Sequence, residues 1–454
     1  TLSYNRQSVG DELDERIERT IHDPLGRVAS RIDARFLRAG GAPNFSYQSS
    51  LSGRVLRTDS VDRGKRWTLE DVDGRLVWSL DARGTGTTWT YDLMGRPRTL
   101  EETEGETKAT RDVWIYGEQE PQAQANNLRG QCARRYDTAG KLAWSGYRLT
   151  GQPLDETRQF LADAQADANW PDDETAASGS LDTTQYCTVW VHDAMGEWRK
   201  QTDAKGNDQQ RSFDVAGRLA SSGLRLEQEA QAQPLLSSID YSAAGQVLSE
   251  TAGNGVVRRY EYEAETQRLI RASVARPATV SRATVAQDLH YTYDPVGNVL
   301  SVSDEGQASS YWRNQRIEPK CIYEYDALYQ LISASGRETV NRGPQGHTLP
   351  TATIPLPSDN SIYANYTRTY SYDRGGNLKQ IQHSGLNSYT QAIVVSDSSN
   401  HAMQQNALSS LRPNDIDDGS WFDASGNAQM LLSDRTQPLI WDGRDALKQV
   451  TLVK

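Results

Sequence analysis

Apolar and polar residues alternate in short runs along this chain, and the runs keep ending on the same break. Thr88-Trp89-Thr90-Tyr91, Leu289-His290-Tyr291-Thr292-Tyr293 and Arg368-Thr369-Tyr370-Ser371-Tyr372 change character at every second residue, the period of a strand with two unlike faces. Each leads into Asp, two variable residues, Gly, a polar residue and an apolar one. This seven-residue motif, aromatic-Asp-x-x-Gly-polar-apolar, starts with small edits at His22, Tyr91, Tyr136, His192, Phe213, Tyr241, Tyr293, Tyr325, Tyr372 and Phe422. Weaker cousins run from Glu70 to Leu76 and from Trp441 to Leu447.

The motif has a mechanical reading. Asp at the first position of a type I turn accepts backbone N–H groups from within the turn, and Gly three residues later supplies a positive φ at low cost. The aromatic before and the apolar residue after then end two strands joined by a short loop, so each copy predicts a β-hairpin. The candidate turn residues are Asp23 with Gly26, Asp92 with Gly95, Asp137 with Gly140, Asp193 with Gly196 and Asp214 with Gly217. Asp294 with Gly297, Asp373 with Gly376 and Asp423 with Gly426 continue the series. Turn hydrogen bonding accounts for one Asp per copy, whereas carboxylate-pair chemistry needs two within several ångströms. His22 and His192 fill the aromatic slot, which marks them as strand-end rings rather than metal ligands.

Spacing selects the architecture. Asp71 to Asp92 and Asp193 to Asp214 are 21 residues, whereas Asp92 to Asp137 is 45 and Asp137 to Asp193 is 56. A β-propeller keeps a nearly constant blade of about 40–45 residues. The irregular intervals predict instead an all-β strip of hairpins added side by side, each contacting mainly its neighbours. Helix is expected only at Thr157–Trp170 and Leu226–Gln233, and loops at Arg342–Asn360 and Asp397–Gly419.

Composition narrows the function. Lys+Arg 49 against Asp+Glu 60 gives a net charge of -11 with no basic stripe, which argues against nucleic acid as a partner. Only 36% of residues are apolar, as expected of a thin sheet wetted on both faces, while Trp 11 and Tyr 21 supply strand-favouring rings with polar tips. The mixed run Asp11–Arg19 reads as a solvated face. No apolar run approaches the roughly 18 residues of a membrane helix, so direct membrane insertion is not expected. Cys132, Cys187 and Cys321 form no CxxC spacing and read as free thiols. No metal, phosphate or nucleophile motif starts anywhere, and no cofactor is expected.

Longer phrases carry a resemblance. They include Gly130-Gln131-Cys132, Arg135-Tyr136-Asp137-Thr138-Ala139-Gly140, Gln201-Thr202-Asp203-Ala204-Lys205-Gly206-Asn207, Glu265-Thr266-Gln267-Arg268-Leu269-Ile270, Leu328-Tyr329-Gln330-Leu331 and Tyr372-Asp373-Arg374-Gly375-Gly376-Asn377-Leu378. With these the chain resembles the RHS, or YD, repeat, and more closely the C component of bacterial Tc insecticidal toxin complexes. The resemblance implies that residues 1–454 form one curved, hollow β-shell region, completed by a B component and enclosing a toxic C-terminal polypeptide as cargo. It implies an A-component translocation channel reached through the B component, and a secreted complex assembled in the bacterial cytoplasm. The family's self-cleaving aspartyl core and toxin are expected beyond Lys454, as the strand-like ending Gln449–Lys454 suggests. Asp23–Gly26 and Asp294–Gly297 resemble that core superficially but lie inside motif copies, so no catalytic residue is assigned here. Stacking of the Tyr and Trp rings on sugars, in a carbohydrate-binding or adhesion protein, is the alternative. A hydrolase on the same scaffold has only the fold in its favour.

Overall fold

The structure is a computed structural model describing residues 2–9, 12–171, 173–278, 283–339, 363–386, 388–405, 411–430 and 437–451. The hairpins join into an antiparallel sheet of 29 strands among the described residues. From Leu2–Val9 to Tyr389–Val395 each strand of this sheet pairs with the next one along the chain. A separate two-stranded hairpin, Ser310–Trp312 with Gln315–Ile317, interrupts the order. Among the described residues helix is confined to Ala34–Ala39 and Glu174–Ser178 and two 3-10 turns.

Alternate turns fall on opposite edges of the strip, which therefore has two rims. Turns at Asp23, Ser50, Asp71, Asp92, Asp193, Asp214, Ser242, Asp294, Asp326 and Asp373 share one, the motif rim. The connections around Asp62, Asp81, Gly105, Asp203 and Gly253 share the far rim. Register slips by one residue at the motif aromatic, as between Thr90 and Tyr91, Thr292 and Tyr293, and Ser371 and Tyr372. A type I turn followed by a left-handed Gly forms such a bulge, which adds twist at one rim every second strand. Two strands and two turns make up the 21-residue interval.

The strip winds round until its later motif turns reach its own first strands. Arg374 pairs with Asp14, and Arg16 donates to the Asp373 carbonyl at 3.3 Å and to Gln330 at 3.4 Å. Farther along, Asn400 donates its backbone N–H to Asp62 at 2.6 Å, and Arg83 lies 3.6 Å from Asp423 and 2.9 Å from Asp445. Among the described residues no single core fills the winding. The described residues hold three small apolar clusters, around Tyr136 and Trp170, around Leu128 and Tyr147, and around Ile416 and Trp421.

Two expectations about helix fail. Asp155–Phe160 is a strand paired on one side with Gly140–Ala143 and on the other with Tyr186–Val189, so its backbone groups are taken up in the sheet rather than in a helix. Residues 161–171 follow as irregular chain, and Leu226–Gln233 is a turn leading into a strand at Gln233. Arg342–Asn360 lies outside the described residues. Within Asp397–Gly419 the described residues, 397–405 and 411–419, are mainly loop, with a short strand at Ala402–Gln404 and a 3-10 turn at Pro413–Asp415. The charged run at the start is a strand, Glu12–His22, and Arg16 is only 8% exposed because the later winding covers it.

Candidate functional site

The repeated turn is the unit from which any function is built. In the first copy Asp23 Oδ1 accepts from the backbone of Leu25 at 2.9 Å and of Arg27 at 3.0 Å, while Oδ2 takes Arg27 Nε at 2.6 Å. Asp92 and Asp214 repeat this with Arg96 and Arg218, and Asp294, Asp373 and Asp423 with an Asn amide instead. Asp193 keeps the backbone bonds and pairs with Arg199 at 2.9 Å. The paired glycines Gly26, Gly95, Gly196, Gly217, Gly297, Gly376 and Gly426 have φ between 78° and 110°. Backbone N–H groups, led by that of Arg27, hold Asp23 below the usual carboxylate range. At Asp294 burial opposes the charge most, and the bonds from Asn298, Gly297 and Val296 together outweigh it and lower the pKa.

Asp137 and Gly140 belong to a different turn. Their copy sits on the far rim, because the preceding connection, Gly117–Gln131, occupies the motif rim. Gly140 has φ +143 and pairs directly with Asp137 in the hairpin, and Asp137 receives both Arg158 nitrogens at 2.7 and 2.8 Å. Tyr136 is buried against Trp170 and donates to Glu174 at 3.0 Å. The motif-rim positions here are taken by copies that lack Asp. Arg148 and Gly151 close one such turn, with Arg148 N bonded to Gln152 O at 2.9 Å and Gly151 N to Arg148 O at 3.0 Å.

Successive turns are tied by two side chains. The motif tyrosine donates its hydroxyl to the carbonyl of the residue that closed the turn before it. Tyr91 reaches Leu76 O at 2.8 Å, Tyr241 reaches Leu219 O at 2.9 Å, Tyr293 reaches Leu269 O at 2.6 Å, and Tyr325 reaches Val299 O at 3.0 Å. The arginine runs the other way. Arg218 bonds Ser242 O at 3.2 Å and lies 4.6 Å from the Tyr241 ring, and Arg268 bonds Asp294 O at 2.8 Å and lies 5.8 Å from the Tyr293 ring. These contacts use the face and the polar tip of each ring within the wall. Where the winding meets itself, Arg16 on Asp373 O repeats the same contact.

One titratable cluster has the composition of a metal centre. Asp288, His290 and Glu305 bring ligand atoms within 4.8 Å of one another. Arg271 forks onto Asp288 at 2.7 and 2.9 Å, so the Asp288 carboxylate is already neutralised by a guanidinium. The Asp288 side of the cluster is thus an arginine–carboxylate ion pair.

A family model described as the tripartite Tc toxins repeat matches residues 386–433. Toxin subunits YenC2 and YenC1 of Yersinia entomophaga are each 42% identical, over 95% and 99% of this chain and 46% of each relative. The chain thus spans about half the length of the curated relatives it matches. Among solved structures, the crystal structure of TcdB2-TccC3 matches with a TM-score of 0.90 at 42% identity, over 100% of this chain and 22% of that one. The Tc holotoxin pore of Photorhabdus luminescens matches with the same TM-score and identity, over 100% of this chain and 21% of its counterpart.

Proposed function

We propose, on the premise that this chain belongs to the RHS/YD-repeat region of the Tc toxin C components, that its winding is the wall of a shell holding a toxic polypeptide. A B component completes that shell, and an A-component channel is reached through the B component. The cargo, and an aspartyl core that cuts it free, lie in sequence outside this chain. Residues 1–454 act as one structural region, in a secreted complex loaded in the bacterial cytoplasm. One observation supports this reading most: the strip spends its polar repeats on joining turn to turn and on seating its later turns on its first strands. It closes a surface rather than filling a core. The sugar-binding alternative loses its main support, because motif rings such as Tyr91 and Tyr241 bond or stack within the wall.

Co-expression with the cognate B component tests the proposal. A strip with unpaired strand edges pairs or aggregates unless covered. Soluble yield is expected to rise sharply with the B component. Equal yield and a monodisperse monomer without it would refute a shared shell.

A further inference from the structure

The two positions between Asp and Gly stand at the tip of each motif turn, where turn geometry leaves residue choice free. At Leu51, Val72, Leu93, Leu149, Met195 and Val215 these tips are apolar and 86% to 110% exposed. Three of the turns that seat on the chain's own far rim carry other residues there: Arg374-Gly375, Ala424-Ser425 and Gly443-Arg444. Those seated turns meet carboxylates and backbone. Arg374 pairs with Asp14, Arg444 lies 3.8 Å from Glu102, and a Cβ on Gly64 would lie 2.7 Å from Ala424 O. Those three seated turns are small or charged at the tip, whereas the six turns named above between Leu51 and Val215 carry a large apolar residue that stands almost fully exposed.

A soluble surface seldom repeats fully exposed Leu, Met and Val side chains along one edge without a partner. The spacing says which kind. Consecutive motif turns stand two strands apart, about 10 Å at the usual strand separation. The knobs at Val72, Leu93, Met195 and Val215 are each fenced by their own turn's carboxylate and a paired arginine. A bilayer favours a continuous apolar face backed by basic residues, not isolated knobs between ion pairs. The edge of another antiparallel hairpin strip has the same two-strand pitch, and therefore recesses at the knob spacing. The chain itself supplies the precedent, because the same rim, continued into the second winding, seats on just such an edge.

We propose that the motif rim of the first winding, from Leu51 to Val215, docks on the loop edge of a hairpin strip carried by a different polypeptide. Apolar tips mark this joint apart from the charged seam the chain makes with itself. The inference rests on the shared-shell reading above and assigns the rim by which the partner is met; the far rim over the first strands is already occupied.

The probe is the cognate B component, co-expressed with the full chain. The test variant combines Leu51→Asp, Val72→Asp and Leu93→Asp; full exposure of all three leaves the fold intact, which far-UV circular dichroism checks. The control combines Ala204→Asp and Lys205→Glu in a far-rim turn. Capture by the tagged B component is expected to fall at least about tenfold in the test variant, because three charges would enter an apolar joint, and to persist in the control. A second readout is maleimide labelling of Leu93→Cys in a Cys187→Ser background, expected to slow when the B component is bound. Failure of the wild-type chain to be captured overturns the shared shell itself. Capture of wild type and test variant alike, with unchanged labelling, overturns the rim assignment alone. Sedimentation of the wild type, but not the test variant, with phosphatidylcholine–phosphatidylglycerol vesicles would overturn it in favour of a bilayer.

Discussion

Replacing Tyr293 by Phe removes one oxygen from the wall and tests whether turn-to-turn hydroxyl bonds hold it. The hydroxyl donates to Leu269 O at 2.6 Å, and burial raises the phenol's pKa, as expected of a group kept from water. Phe keeps the ring and its place near Arg268, so only the hydrogen bond is lost and the carbonyl is left without that donor. Such a bond contributes about 1 kcal/mol net, within a range of roughly 0.5–1.5. Because each hairpin contacts mainly its neighbours, the cost should stay local. Hydrogen exchange read by mass spectrometry measures that local opening. Amides in Leu269–Ala275 and Val285–Tyr293 should exchange about fivefold faster, the Boltzmann factor for about 1 kcal/mol, while Val55–Ser60 keeps its rate. Unchanged exchange around Tyr293, or equal acceleration along the whole strip, would refute the ladder.

Gly217→Ala and Gly426→Ala share a left-handed backbone, at φ 78 and 84, but a Cβ at Gly217 meets open space while one at Gly426 runs into Asp62 O. Each should cost about 1–2 kcal/mol of strain, and only Gly426→Ala should also speed exchange across the seam near Asp62. Asp294→Asn should be milder than Gly297→Val, since the amide oxygen still accepts the turn's N–H groups; comparing melting temperatures checks the order. Acid should loosen the wall. Asp208 is 4% exposed, and although burial opposes its charge, bonds from Thr202, Arg225 and Lys200 lower its pKa to about 2. A carboxyl whose folded pKa is depressed contributes stability above its unfolded pKa of 3.8 that is lost as pH falls toward 2. Exchange in Asp208–Phe213 should therefore rise through that window, and Asp208→Asn should flatten the rise.

The hairpin strip was legible because its cause is local. Asp, Gly and an aromatic at fixed offsets specify a turn wherever they stand, and two strands plus two turns set the interval. What escaped notice depends on contacts between distant parts of the chain. Asp137 carries a full motif yet turns on the far rim, because the connection before it changes which edge comes next. Arg148 closes a motif-rim turn through backbone bonds alone, so the absence of Asp hid it; its preceding Tyr147 and following Gly151 were the available signal. Tyr rather than Phe in the aromatic slot signalled the hydroxyl ladder, but its acceptor is a carbonyl of the previous hairpin and becomes visible only once strands are paired. Arg16 looked solvated within a charged run because the turn that covers it, at Asp373, lies 357 positions away. The helical pattern at Thr157–Trp170 failed because neighbouring strands offer backbone pairing that outweighs weak helical preference.

Electron cryo-microscopy of the chain co-purified with its cognate B component tests the central claim most directly. The account predicts a closed, hollow particle in which this strip forms a continuous part of the wall, its motif rim against the B component and its Asp373 and Asp423 turns against its own first strands. A compact particle without an enclosed cavity, or this chain lying outside a shell already closed by the B component, would contradict it.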